Sequence, residues 1–147
     1  MDHSVLVVED DENIVLSLTF LLEKSGFATR VVGDGNSALG EMRAAKPDVV
    51  LLDVMLPERD GYSVCEEIRG NAAWSDVHVI MLTAKGRAAD RDKGMAAGAD
   101  DFVTKPFSTR DLVARVKAAV GMAVGTGVLG GTVGFVVGPG VTVGAWV

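Results

Sequence analysis

Between Ser4 and Val120, short runs of β-branched residues alternate with stretches whose apolar positions recur at helical spacing. That alternation predicts βα units built on a parallel sheet. Val5 to Val8 is a continuous apolar run, as expected of a strand covered on both faces. Ile14, Leu18, Leu21 and Leu22 then repeat at i, i+4, i+7 and i+8, which predicts a helix over residues 12 to 25, stopped by Gly26. Phe27 to Val32 predicts a second strand, and Asp34 is placed to cap a helix through Ala38, Leu39 and Met42 that ends before Pro47. Val49 to Leu52 is the third and most apolar strand, followed by a turn-rich loop from Leu56 to Gly61 and a helix from Tyr62 to Arg69. Val77 to Leu82 predicts the fourth strand, residues 87 to 97 a helix closed at Gly98, and Phe102 with Val103 a short fifth strand. The last helix has Ser108 as N-cap, Asp111 three positions on, and a stripe of Leu112, Val116 and Val120. Five strands alternating with five helices fit an open, doubly wound α/β sheet, which binds its ligands at the carboxyl ends of its strands.

Charge divides the chain unevenly. Its 147 residues carry 20 acidic and 14 basic side chains, a formal net charge of −6, and every one of them lies at or before Lys117. From residue 118 onward no residue is charged, and nine of the 18 glycines fall from Gly121 onward. The expectation is a domain over residues 1–120 and a chemically distinct Gly/Val-rich tail over residues 121–147. An acidic domain, followed by a segment with no basic side chain, argues against direct nucleic-acid binding. A single cysteine, Cys65, excludes an internal disulfide framework and reads as a small core hydrophobe. The first residues lack the basic and long apolar regions of a signal peptide, so the domain is expected in the cytoplasm.

The tail leaves three readings open. Its length, lack of charge, four-residue glycine spacing (Gly130, Gly134, Gly138) and Trp146 suit a membrane span. Arg115 and Lys117 before it would then keep the domain on the cytoplasmic side, tethered to the membrane. A β-hairpin turning at Gly138-Pro139-Gly140 fits as well. The third reading is a disordered end, from a truncated or frameshifted reading frame.

Chemistry gathers at the predicted strand ends. Glu9, Asp10 and Asp11 follow the first strand, Asp53 the third, Thr83 the fourth and Lys105 the fifth. Taken singly, each has an ordinary reading: the first acids could cap a helix, Asp53 a turn, and Lys105 could be a solvated lysine. Together they would crowd carboxylates on one rim, where they stay ionised only beside a cation. Oxygen ligands without His or Cys nearby point to a hard ion such as Mg²⁺. Thr83 and Lys105 are suited to the oxygens of a phosphoryl group, as a hydrogen-bond donor and a point charge. Asp53, alone at the centre, is the best candidate for a carboxylate that accepts the phosphoryl group covalently. His3 and His78 have no partners at metal-ligand spacing, and Trp74 is expected to pack at a helix-to-strand loop.

The segments Val5-Leu-Val-Val-Glu9-Asp10-Asp11-Glu12, Pro47-Asp48-Val-Val-Leu-Leu-Asp53-Val-Met-Leu-Pro57 with Asp60-Gly61, Val79-Ile-Met-Leu-Thr83-Ala84, and Gly98-Ala-Asp-Asp-Phe102-Val-Thr-Lys105-Pro106-Phe107 resemble the receiver domain of bacterial two-component response regulators. The resemblance covers residues 3 to 120 and is closest to receivers of the winged-helix transcription-factor group. It implies a flavodoxin-like (βα)5 fold with a five-stranded parallel sheet. It further implies that Asp53 accepts a phosphoryl group from a sensor histidine kinase or phosphotransfer protein. Glu9, Asp10, Asp53 and the carbonyl of Met55 would hold Mg²⁺. Thr83 and Phe102 would form the switch, Lys105 would pair with the phosphoryl group, and the Lys105-Pro106 peptide would be cis. Met55, being apolar, cannot position a hydrolytic water, so a long-lived phosphorylated form is expected.

By the same resemblance, Arg91, Asp100, Asp101, Asp111 and Arg115 match the charged set through which such receivers pair in a two-fold dimer, promoted here by phosphorylation. The expected function is a signalling phosphoprotein that catalyses only its own phosphorylation and dephosphorylation. The alternative is a Mg²⁺-dependent phosphatase with an aspartyl nucleophile, although Val54 and Met55 supply no second acid for a leaving group. A flavodoxin-like redox carrier is the weaker rival, because no Ser/Thr/Gly-rich phosphate loop follows the first strand.

Overall fold

The computed structural model describes residues 3–84 and 88–122. The chain divides into two units, residues 1–113 and 114–147. Five strands, β1 (Ser4–Val8), β2 (Ala28–Val32), β3 (Val49–Asp53), β4 (His78–Thr83) and β5 (Asp101–Thr104), alternate with α1 (Glu12–Lys24), α2 (Gly35–Ala44), α3 (Gly61–Arg69), α4 (Ala88–Ala96) and α5 (Thr109–Ala119). The strands form one sheet in the order β2-β1-β3-β4-β5, every pair parallel. This is the α/β architecture expected from the alternating pattern. One element went unread, a single 3₁₀ turn at Ala72–Trp74 that leads into β4 and buries Trp74.

Burial explains why the strands read so differently. All five residues of β3 are buried, whereas β2, at the edge, is exposed or half-buried throughout. Leu6, Val8, Val50, Leu52, Val79 and Met81 project to one face and join Leu39 and Met42 of α2 with Val64, Cys65 and Ile68 of α3 in one core cluster. The intervening positions Val7, Leu51 and Ile80 face the other way by the strand's period of two and are also fully buried. On α1 the predicted stripe buries Leu18 and Leu22, while Leu16 and Phe20 are left on the outer face. Burial pushes the Cys65 thiol up to about 11, so it stays protonated as a core side chain.

Local signals set most helix ends. Asp11 caps α1 by accepting from the amides of Asn13 and Ile14, and Asp34 caps α2 by accepting from Ser37 N at 2.7 Å. Ser108 Oγ accepts from the Asp111 amide at 3.2 Å, the bond expected of an N-cap. Gly26 and Gly98 close α1 and α4 with φ of +96° and +104°. Within the second unit, α5 ends in a Schellman motif: Met122 N donates to Lys117 O at 2.8 Å, Gly121 N donates to Ala118 O at 3.1 Å, and Gly121 has φ +79°. The three readings of the tail fall on residues 123–147, and the predicted start of the fourth helix on Arg87, all outside the described residues. Among the described residues no helix is long and apolar enough to cross a membrane.

Glu58, in the loop after β3, adopts φ +74°. That left-handed conformation costs a side-chain-bearing residue about 1–2 kcal/mol, against about 0.5–1 kcal/mol of extra chain entropy lost by a glycine. The exposed bond from Asn36 Nδ2 to Glu58 Oε1, at 3.3 Å, returns little. Glu58→Gly is therefore expected to stabilise the fold by about 0.5 kcal/mol net, read as a higher urea midpoint with an unchanged slope.

Candidate functional site

The parallel sheet delivers five side chains to one rim. Asp53 is the last residue of β3 and Thr83 the last of β4, while Glu9 and Asp10 follow β1 directly. Glu9 extends the ladder, its amide donating to Val32 O at 3.1 Å. Lys105 follows β5, and its amide donates to Thr83 O at 2.6 Å, so the backbone that carries the lysine is tied to the threonine's strand. The Lys105–Pro106 peptide is cis, as the resemblance implies.

At this rim Glu9, Asp10 and Asp53 each place a carboxylate oxygen within 4.8 Å of the others. Glu9 is 2% exposed, Asp53 3% exposed and Asp10 exposed, so the cluster runs from the protein interior to its surface. Lys105 Nζ lies 2.9 Å from Glu9 Oε1 and 3.4 Å from Asp53 Oδ1. Apart from this ion pair, the buried Glu9 Oε1 has no hydrogen-bond partner. Glu9 Oε2 accepts from Asp11 N at 3.1 Å, and Asp53 Oδ1 from Met55 N at 3.3 Å.

Electrostatic strain follows from this packing. Burial first, and then the charge of Glu9, push the Asp53 carboxyl up to about 6 despite Lys105 beside it. Burial opposes the charge on Lys105, yet contacts with Glu9 and Asp53 outweigh it and hold the ammonium above its ordinary value. One lysine thus faces two buried acids with a third close by. The residues fit a hard divalent cation: all the side-chain donors are carboxylate oxygens, and one of them is buried with no hydrogen bond.

Asp11, grouped with the other acids on sequence order, stays out of the cluster because its carboxylate is committed to the cap of α1. Thr83 is fully buried at the rim. Phe102 is 4% exposed, with its ring against Gly94 of α4 and the Arg91 guanidinium 5.8 Å from the ring centroid. A Cβ on Gly94 would come within 2.8 Å of that ring, so packing against a glycine holds it inward.

The charged set read as a dimer face is not uniform. Asp100 is engaged internally, bonded by Arg69 Nη2 and by Val79 N at 2.9 Å. Asp101 Oδ1 accepts from Phe102 N at 2.8 Å, Asp111 is exposed, and Arg115 lies beyond residue 113 in the second unit. Arg69 was missed from sequence, although it also donates from Nε to Gly98 O at 2.7 Å. Gly61, quoted only as part of a turn, proves to be packed directly on the Asp53 backbone.

Comparison with known proteins agrees with this geometry. A family model described as the response regulator receiver domain matches residues 5–117. The chain is 50% identical over 117 residues to the sensory transduction protein RegX3 of Mycolicibacterium smegmatis, covering 80% of this chain and 50% of that protein. It therefore spans about half the length of the curated relatives it matches. Among solved structures, a response regulator of Chloroflexus aurantiacus superposes with a TM-score of 0.77 at 34% identity, covering 82% of this chain and 98% of that one. DrrB, described as a Thermotoga maritima OmpR/PhoB homolog, superposes with a TM-score of 0.74 at 36% identity over 82% of this chain and 53% of its own.

Proposed function

This chain belongs to the response regulator receiver domain family of two-component signalling, and on that premise we propose that Asp53 is its phosphoacceptor, served by Mg²⁺ and a histidine-phosphorylated protein donor. The observation that carries the reading is the close set of Glu9, Asp10 and Asp53 with Lys105 Nζ 3.4 Å from the acceptor carboxylate. The Asp53 carboxylate attacks the phosphorus of the donor phosphohistidine; the P–N bond breaks, and an acyl phosphate forms on Asp53. Glu9, Asp10, Asp53 and the Met55 carbonyl would hold the cation, which when bound supplies positive charge against the crowded acids and the phosphoryl oxygens. Lys105 is already beside the acceptor and pairs with one phosphoryl oxygen, and the Thr83 hydroxyl donates to another. Loose phosphoryl transfer needs this alignment and cationic charge more than it needs a protein acid or base.

The product adds about 1.5–2 negative charges to the rim. Thr83 and the inward Phe102 transmit that change to α4, β5 and α5, where two copies pair as an isologous dimer. Because Asp100 is engaged internally, the pairing within the first unit rests on Arg91, Asp101 and Asp111. The phosphatase alternative is disfavoured by Val54 and Met55, both apolar, which offer no acid to a leaving group.

Incubation with Mg²⁺ and acetyl phosphate tests the reading. The expected result is a mass increase of one phosphoryl group per chain, with sedimentation shifting from monomer to dimer. Phosphate released over many turnovers would establish the phosphatase instead, and a phosphorylated chain that stays monomeric at high concentration would remove the dimer.

A further inference from the structure

The helix α4 has little of its own to hold it. It is 9 residues long, shorter than helices that persist alone in water, and carries the poor helix former Gly94 in its interior. Gly94 is also its only buried residue, so no apolar stripe anchors α4 to the core. Two aromatic rings from neighbouring elements hold it instead, each beside a cation of α4 itself. Phe102 of β5 packs on Gly94, with the Arg91 guanidinium 5.8 Å from its centroid. Tyr62 of α3 donates its hydroxyl to Asp90 O at 3.4 Å, and Lys93 Nζ lies 4.6 Å from the centroid of that ring. Burial first, then Asp90 and Asp60, hold the Tyr62 hydroxyl above its ordinary value, so it keeps the proton it donates.

The Tyr62 contact begins beside Asp53. Gly61, one residue earlier, packs on the Asp53 carbonyl with no room for a Cβ, and its amide donates to Val54 O at 2.8 Å. A shift of that strand end is therefore passed to the first turn of α3, where Tyr62 stands. The bond to Asp90 O is already at the long end of the hydrogen-bonding range, so a small displacement of the ring breaks it. We infer that Tyr62 is a positioning residue, a catch that holds α4 to the start of α3 and is released when Asp53 is phosphorylated. The inference rests on Asp53 being the phosphoacceptor. Removing the catch takes stabilisation away from this arrangement of α4 and from none in which α4 has moved.

Hydrogen exchange of the α4 amides in the full chain, with and without acetyl phosphate and Mg²⁺, tests this, and intact mass records phosphoryl uptake in the same samples. Without the donor, Tyr62→Leu should open α4 about tenfold more often, the combined effect of one hydrogen bond and one exposed cation–ring contact. Tyr62→Phe keeps the ring and should open α4 about threefold more often. Loading Asp53 should raise α4 exchange about fivefold in the native chain and add little in Tyr62→Leu, where the catch is already gone. Uptake of mass should be equal in all three, because the acidic cluster is built without Tyr62. Amides in the last turn of α1 serve as the control and should not change. Native protection of α4 in Tyr62→Leu without the donor, or the same increment on loading in native chain and variant, overturns the inference. Should Tyr62→Leu fail to fold, the same comparison with Tyr62→Phe decides it. A native chain that takes up no phosphoryl group overturns instead the reading of Asp53, whereas one that takes it up with unchanged α4 exchange overturns the catch.

Discussion

Asparagine at position 53 is expected to stabilise the metal-free protein by up to about 3 kcal/mol at pH 8 while ending phosphoryl uptake. The carboxyl sits at about 6 rather than 3.8 because it is buried and faces Glu9. A gap of about two pH units corresponds to about 3 kcal/mol. The sign is set by linkage: the folded chain holds this proton more tightly than the unfolded chain does, so ionisation penalises folding in full above about pH 6. The penalty fades as pH falls from 6 towards 3.8. Asp53→Asn removes the titration, so its advantage should be greatest at pH 8 and vanish near pH 4, as measured by urea unfolding at each pH. Equal midpoints at pH 8 would show that Asp53 bears no such electrostatic load.

Mg²⁺ should close part of that gap from the other side. A ligand that binds only the folded state at a hundredfold excess over its Kd stabilises by about 2.7 kcal/mol. The native chain should gain in this way, and the variant, with one carboxylate fewer, should gain less. With acetyl phosphate the variant should show no added mass.

Gly61→Ala is expected to cost about 2 kcal/mol or more, the range of a clash that backbone must absorb. At an ordinary helix start alanine would be favoured, since glycine is the poorer helix former by about 1 kcal/mol. Here a Cβ would overlap the carbonyl oxygen of Asp53 and lie 2.9 Å from Val54 Cα. Those are backbone atoms at the end of the strand that carries Asp53, held by Gly61 N donating to Val54 O at 2.8 Å. They cannot turn aside as a flexible side chain would. Thermal unfolding should show the loss, and phosphoryl uptake should slow because Asp53 is displaced from Lys105. A variant as stable as the native chain would mean that the loop relaxes freely.

Much of the molecule was legible because its signals are local. The apolar run Val49 to Leu52 marks a strand buried on both faces wherever it occurs, and Gly26 and Gly98 end helices through their own φ. Boundaries shifted by one or two residues where hydrogen bonding continued past the apolar run. Asp53 and Thr83 thus proved to be strand residues rather than followers of a strand. The exposed Leu16 and Phe20 broke the expectation of a single apolar stripe on α1, since helical period alone does not forbid apolar residues on the outer face.

The order of the residues was enough to establish which chemical groups stand at the strand ends, because a parallel sheet with alternating helices must bring those ends together. Sharing the work among them was a matter of distance between residues far apart in the chain. Asp11 and Asp10 are neighbours of the same type, yet one caps a helix and the other joins the acidic cluster at the rim. Asp100 and Asp101 likewise part company once Arg69, some thirty residues earlier, reaches the first of them. The raised affinity of Asp53 for its proton, the burial of Glu9 beside Lys105 and the need for glycine at position 61 arise from burial and close approach. Those properties exist only once the chain has packed, because no local pattern encodes how near two remote segments will come.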